Sequence, residues 1–245
     1  MSTYSREQTL VLIKPDALKL SLTGYILSTL AEPNTGLRLA GAKVVHVTDM
    51  LAQEHYAEHK DKPFFHGLIE YLTGQIHYGD EAHKRRVVAL VYCGDNAVAN
   101  IRKKTGPTNP HVARETAPGT IRALGTLVMS AADIQRDSIS RIDNLVHASA
   151  SEEEAEREIK LWFKPRDICP ELRAWESVIC DEHFYCSKDG YLTNTYRKGV
   201  TCLLAPGKPA WKSDLDLLHD IVEAGGRDPR IWTVAAKYLI NEDLC

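Results

Sequence analysis

The stretch TLVLIKPD, Thr9–Asp16, sets the frame for the chain. Thr9 to Ile13 is a short, mostly apolar run with β propensity, and Lys14-Pro15-Asp16 stops it. Such a run, bounded by a proline and charges, reads as a buried strand ending in a polar loop. Downstream, Thr23 to Leu30 predicts a short helix with Leu22, Ile26, Leu27 and Leu30 on its inner face. Arg38 to Val47 reads as a second strand. Leu51 to His59 and Pro63 to Thr73 read as helical pieces, with Pro63 in the first turn. Arg86 to Tyr92 (RVVALVY) is a third buried strand, and Asn96 to Lys104 a helix capped near Asp95 or Asn96. Thr105 to Asp143 is irregular and rich in Thr, Pro and Gly. Asn144 to His147 predicts a brief strand. Ser151 and Glu154 match a capping box for a helix through Ala155, Ile159 and Trp162, halted by Pro165. This order predicts an α+β fold, an antiparallel sheet with helices on one face.

Composition sets outer bounds. The 245 residues suit one domain with an appendage or two small domains, and 44% hydrophobic residues suffice for a core. Thirty Lys and Arg against 33 Asp and Glu give a net charge of −3, which argues against electrostatic nucleic-acid binding as the main role. The segment MSTYSREQTL has no apolar signal core, and no run reaches the roughly 18 apolar residues of a membrane span. A soluble cytoplasmic protein without membrane partners is the expectation, with its six cysteines mostly reduced.

Among ten histidines, His147 is distinctive: it follows an apolar dipeptide at a strand end and precedes a helix start. There an imidazole can serve as nucleophile or base. Taken singly, any of these histidines is more simply a structural one. Lys14 at a sheet edge, with Arg102, Thr108 and Arg122 around the irregular stretch, changes the weighing. Phosphate chemistry asks a protein for cations and hydroxyl donors around the transferring oxygens, and guanidinium forks suit bidentate contacts.

The segments TLVLIKPDAL, EHYAEHKDKPFFHGLIEYLTG, VVALVYCGDNAV, TNP, PGTIR, NLVH and AEREIKLWF occur in this order. Together they make residues 8–165 resemble the nucleoside diphosphate kinases. The resemblance implies a ferredoxin-like βαββαβ core and a ping-pong reaction through phosphohistidine, with nucleoside di- and triphosphates as substrates. It puts the phosphorylated histidine at His147 and the lysine near the γ-phosphate at Lys14. The ribose-contacting asparagine falls at Asn144, and the phosphate-binding set at Arg102, Thr108 and Arg122. Tyr56 matches a tyrosine close to the histidine and lysine, Phe64 the aromatic that stacks on the base, and His55 a histidine near the α-phosphate. Glu158, helped by Ser149, matches the acid that orients the imidazole. Mg2+ is implied as a cofactor held mainly by nucleotide phosphates, and a homo-oligomer, with a dimer preferred, as the assembly.

Departures from the pattern are equally legible. Ala148 and Ala150 stand where the family commonly has glycine and aspartate, and Ala17 follows Pro15-Asp16 where it has glycine. One insertion lies near Gln75 to Lys84 and another between Arg122 and Asn144. The insertions and Ala150 support an alternative, a catalytically weak nucleotide-binding or interaction module on the same fold. Residues 1–165 form the kinase-like unit, and 166–245 an extension of unknown role. The extension predicts a small α+β appendage: a hairpin turn at Asp189-Gly190, a helix capped by Ser213 and Asp216 that ends near Gly225, and a helix after Asp228-Pro229. Cys180, His183, Cys186 and Cys202 have the ligand types of a zinc site, but their spacing matches no standard finger and buried thiols are favoured.

Overall fold

A computed structural model describes residues 7–129 and 141–239. The first part runs β1 (Gln8–Ile13), α1 (Pro15–Lys19), α2 (Thr23–Thr29), α3 (Glu32–Thr35), β2 (Arg38–Val45), α4 (Asp49–His55), α5 (Phe65–Leu72) and α6 (Gln75–Tyr78). Then come β3 (Val87–Cys93), α7 (Ala97–Thr105), α8 (Pro110–Thr116), β4 (Thr126–Val128), β5 (Arg141–Asp143), β6 (Val146–Ala148) and α9 (Glu152–Trp162). The extension adds β7 (Ser177–Ile179), β8 (Phe184–Ser187), β9 (Leu192–Thr193), β10 (Val200–Leu204), β11 (Pro209–Trp211), α10 (Lys212–Glu223) and α11 (Ile231–Leu239).

β1 lies inside an antiparallel sheet of order β2-β3-β1-β6, the ferredoxin-like arrangement. Leu12 pairs with Ala89 on one side and with His147 on the other. Helices cover both faces of the sheet, not one. Leu10 and Leu12 enter a cluster with Leu51, Leu72, Ile159 and Trp162, while Val11 and Ile13 enter one with Ile26, Leu30, Ala97 and Ile101. Every residue of β1 is buried. A strand covered on both sides reads as a continuous run because neither face has to be polar.

The irregular stretch is more ordered than the sequence suggested. Asn109 caps α8, its side-chain oxygen accepting from the N–H groups of His111 and Val112 at 2.8 and 3.4 Å. Thr126 pairs with Asp143 and Val128 with Arg141, so β4 and β5 form a ladder at the base of the second insertion. The middle of that insertion falls outside the described residues. Two capping boxes are also corrected. Ser151 Oγ accepts from the Glu154 N–H (3.2 Å), but the Glu154 carboxylate accepts from Ala150. No side chain caps α10, which starts at Lys212, and the Ser213 hydroxyl accepts from Lys160 Nζ at 2.9 Å.

The extension has its own core around Phe184, Leu218, Ile221 and Val234. Its turn at Asp189-Gly190 joins β8 to β9, with Gly190 at φ 76°. The extension also completes the core of the first part. Trp211 and Ala236, at 1% and 0% exposure, belong to the cluster of Leu51, Ala52 and Trp162. An indole buries about 150–250 Å², so Trp211 contributes at most about 4–6 kcal/mol. Its Nε1–H donates to the Phe163 carbonyl at 2.9 Å. The segment 165–172 runs along the outer edge of β2, where the Cys169 N–H donates to the Ala40 carbonyl (3.1 Å). Gly41 is needed for that approach: a Cβ there would lie 2.8 Å from the Asp167 carbonyl oxygen.

Cys180, His183, Cys186 and Cys202 do not converge into a ligand set. Among the described residues the metal-capable cluster is His55, His147 and Glu158. The Cys180, Cys186 and Cys202 thiols lie 3.1, 3.3 and 3.4 Å from the carbonyls of Glu182, Ser187 and Leu204.

Candidate active site

The site forms where β1 ends beside the start of β6. The Lys14 N–H donates to the Leu145 carbonyl at 2.9 Å, and the Asp16 carboxylate accepts from the Leu145 N–H at 2.8 Å. These bonds hold Leu145, fully buried, at φ 70°. A branched side chain in the left-handed region costs about 1–3 kcal/mol and persists only where its surroundings impose it. This bend delivers His147 two residues later.

His147 is held from behind by α9. Its Nε2 lies 2.8 Å from Glu158 Oε1, although the ring N–H is not aimed squarely at that oxygen. Ser149 Oγ donates to Glu158 Oε2 (2.7 Å) and accepts from the Leu10 N–H (3.2 Å), which ties the carboxylate to β1. Burial alone would raise the Glu158 pKa. The facing His147 charge and hydrogen bond, then His55 and the Ser149 bond, outweigh it and bring the carboxyl down to about 2. An ionised Glu158 keeps the proton on Nε2 and leaves the lone pair on Nδ1. The imidazole is 19% exposed, whereas the orienting acid is at 2%. Ala148 is paired with Val11 in the strand and has no positive φ, so the chain does not need glycine there.

Cations occupy the adjoining wall. Lys14 Nζ donates to Asn144 Oδ1 and sits 4.5 Å above the Tyr71 ring. Asn144 Nδ2 donates to the Thr108 carbonyl at 3.0 Å, which links the lysine to the loop after α7. Burial, only partly countered by Asp16, lowers the Lys14 pKa to about 8. Arg122 is 5% exposed. Its Nε and Nη2 donate to the Val146 carbonyl (3.3 and 3.2 Å) and Nη1 to Gly106 (2.9 Å). Three of the five guanidinium N–H bonds are thus spent on backbone, leaving two for a ligand. Burial and then the charge of Arg102 lower its pKa to about 10, still a cation at neutral pH. Arg102 and Thr108 are exposed. Burial first, then the negative charges of Glu158 and Asp16, raise the Tyr56 pKa, keeping the phenol neutral.

One assignment is corrected. The resemblance put a histidine near the α-phosphate at His55, but that side chain is fully buried behind His147, with ring centroids 4.5 Å apart. Trp162 Nε1–H donates to His55 Nδ1 at 3.2 Å. Burial, then the charge of His147, push the His55 pKa well below its ordinary value, so the ring is neutral. The inner face of α4 carries His55, whereas His59, one turn on, stands outside the helix between the Tyr56 ring (6.3 Å) and the Phe64 ring (5.8 Å). Phe64 is 55% exposed and available for stacking.

Sequence reasoning missed the groups that hold this site. Asp16 fixes Leu145, and its signal was an acid in the first turn of a helix that starts at a buried strand end. Across the two insertions, His77 Nε2 meets Asp143 Oδ1 at 3.3 Å, while Arg141 grips Asp143 through both oxygens at 2.7 and 3.0 Å. Burial opposes ionisation of Asp143, but these bonds and charges win and lower its pKa. Asp143 directly precedes Asn144, so the insertions anchor the lysine's partner.

Comparison with known proteins agrees with this geometry. Residues 7–168 match the family profile described as nucleoside diphosphate kinase. The nucleoside diphosphate kinase of Pyrococcus furiosus is 43% identical over 162 residues, 66% of this chain and 86% of the relative. The Thermus thermophilus enzyme is 37% identical over 163 residues, 66% of this chain and 98% of the relative. Among solved structures, Aquifex aeolicus nucleoside diphosphate kinase aligns with a TM-score of 0.54 at 32% identity, covering 66% of this chain and 99% of that one. A transition-state mimic of the Borrelia burgdorferi enzyme, with bound vanadate and ADP, aligns at 0.52 and 28% identity, covering 66% and 89%. The chain belongs to the nucleoside diphosphate kinase family.

Proposed function

We propose that this protein is a nucleoside diphosphate kinase that passes a γ-phosphoryl group through His147. The reading rests on one observation: His147 Nε2 lies 2.8 Å from the buried Glu158 carboxylate, on a strand whose neighbouring backbone is bonded by Lys14 and Arg122. The Nδ1 lone pair attacks the γ-phosphorus, the bond to the bridging oxygen breaks, and the nucleoside diphosphate departs. The positive charge gained by the ring is matched by Glu158, and no proton need move at Nε2. A second diphosphate then attacks the phosphoimidazole through a terminal β-phosphate oxygen and leaves as the triphosphate. Lys14, Arg102, Arg122 and Thr108 neutralise and position the phosphate oxygens. Asn144 orients the ribose, with Lys14 fixed on its side-chain oxygen. Stacking on Phe64 accepts any base, since every base offers a π-face.

Mg2+ would arrive with the nucleotide substrate and would supply charge neutralisation to its phosphates. The buried acids of the site are already engaged: Asp16 holds the Leu145 N–H, and Glu158 holds His147 and Ser149. The protein's own donors suit phosphate rather than a carboxylate cage for the ion.

Labelled triphosphate tests the reading. The expected result is an acid-labile phosphohistidine, discharged on addition of any nucleoside diphosphate. Nucleotide binding without label would favour the module without turnover.

No helix among the described residues is long and apolar enough to cross a membrane, and the described cysteines form no disulfide. Homo-oligomer formation is supported by apolar side chains exposed on β2, Leu39 (50%) and Val44 (65%). Sedimentation velocity is expected to give a dimer or larger; a monomer at all concentrations would refute the assembly.

A further inference from the structure

We infer that the C-terminal extension sets the position of the nucleotide-binding segment, and that Thr233 is the positioning residue through which it acts. The inference rests on the kinase reading above. The segment in question leaves the C-terminal end of α4: His55, then Tyr56, then His59 and Phe64 in a row of neighbouring rings. That end of α4 is gripped from two sides. From α9, Arg157 Nη1 donates to the last helical carbonyls, Glu54 (3.3 Å) and His55 (3.5 Å), and Nη2 reaches the Glu58 carboxylate at 3.1 Å. From the extension, Thr233 Oγ1 on α11 donates to the Glu54 carboxylate at 3.0 Å.

The extension is well placed to transmit position. Ala236 of α11, fully buried, packs into the cluster that contains Leu51 and Ala52 of α4. Trp211 bonds the Phe163 carbonyl, and Ser213 bonds Lys160, both at the C-terminal end of α9. The extension therefore contacts α9, which carries the site's orienting acid, and α4, from whose C-terminal end the chain runs on to Phe64. Packing alone would resist unfolding without fixing where α4 ends. A directional bond onto Glu54, beside the first residue of the aromatic row, fixes that end to within a hydrogen bond's tolerance. The consequence falls on nucleotide engagement, which uses Phe64, and not on the chemical step, which uses Nδ1 of His147.

The full-length protein tests this with Thr233→Val, a substitution of nearly the same shape, and Thr233→Ser, which restores the hydroxyl. The valine variant is expected to raise KM for nucleoside di- and triphosphates about three- to ten-fold, the scale of one hydrogen bond. Its phosphohistidine formation rate at saturating triphosphate is expected to match wild type, and Thr233→Ser to return KM to the wild-type value. An unchanged KM in Thr233→Val, whether or not its thermal midpoint falls, would overturn the inference by leaving the residue a structural role alone. Failure of wild-type protein to form phosphohistidine at all would instead strike the kinase reading, so the two failures are distinguishable.

Discussion

His147→Ala is expected to lower phosphotransfer by about 10^4-fold or more, the scale seen when a nucleophile is removed from groups that act as a unit. Nucleotide binding is expected to survive, because Lys14, Arg122, Asn144 and Phe64 are placed by other bonds: Arg122 by the Val146 and Gly106 carbonyls, Asn144 by the Thr108 carbonyl. The scaffold should survive as well. Glu158 loses its facing imidazole but keeps the Ser149 hydroxyl at 2.7 Å. His147→Gln is the companion variant, since it fills more of the space while lacking Nδ1. Rapid-quench measurement of phosphoenzyme, alongside calorimetric titration with nucleotide, checks both halves. Turnover near wild type in either variant would remove His147 from the mechanism.

Lys14→Met is expected to cost about 10^2–10^3 in kcat/KM, the loss that follows removal of one charge-stabilising donor. Unlike most losses at a buried site, it should not be accompanied by a large loss of stability at neutral pH. The Lys14 pKa of about 8 lies below the ordinary lysine value, mainly through burial, so holding the charged form folded costs about 3 kcal/mol. The unfolded chain binds the proton more tightly. Stability contributed by this group is therefore lowest below pH 8 and rises as pH climbs from about 8 to about 10.4. Methionine removes both the cost and that rise, although Asn144 Oδ1 loses its donor. Denaturant unfolding of both proteins at pH 7 and 9.5 reads the difference directly; parallel curves would refute the account. The same titration predicts that wild-type kcat/KM falls above about pH 8, since it reports the free enzyme. The fall in kcat belongs at higher pH, because bound phosphates raise the lysine's proton affinity.

Sequence made the sheet legible because its strands are short apolar runs ended by Pro15-Asp16 or Gly94, and local chemistry decides such boundaries. Coverage of both faces was written in the same run of Thr9 to Ile13, whose lack of alternation signals burial on two sides. His147, Ser149 and Glu158 are close in sequence, and the structure brings them into contact. His55 was misplaced because a contact with phosphate depends on which side of α4 a side chain leaves, and its neighbour His59 lies beyond the helix end. The partners Asp143 of His77, Thr233 of Glu54 and Trp211 of Phe163 are distant in sequence. Such pairs leave no local periodicity, so only the folded chain reveals them. Ser213 illustrates the opposite error: a local cap signal was overridden by a distant lysine.

The shared core around Trp162 has a consequence for the ribosome. Ala236 closes that core but is translated 236 − 162 = 74 residues after Trp162. At about 5–20 residues per second, the apolar backs of α4 and α9 wait on the order of 4–15 s for their cover. During that interval the nascent chain presents a sticky surface that α11 later hides.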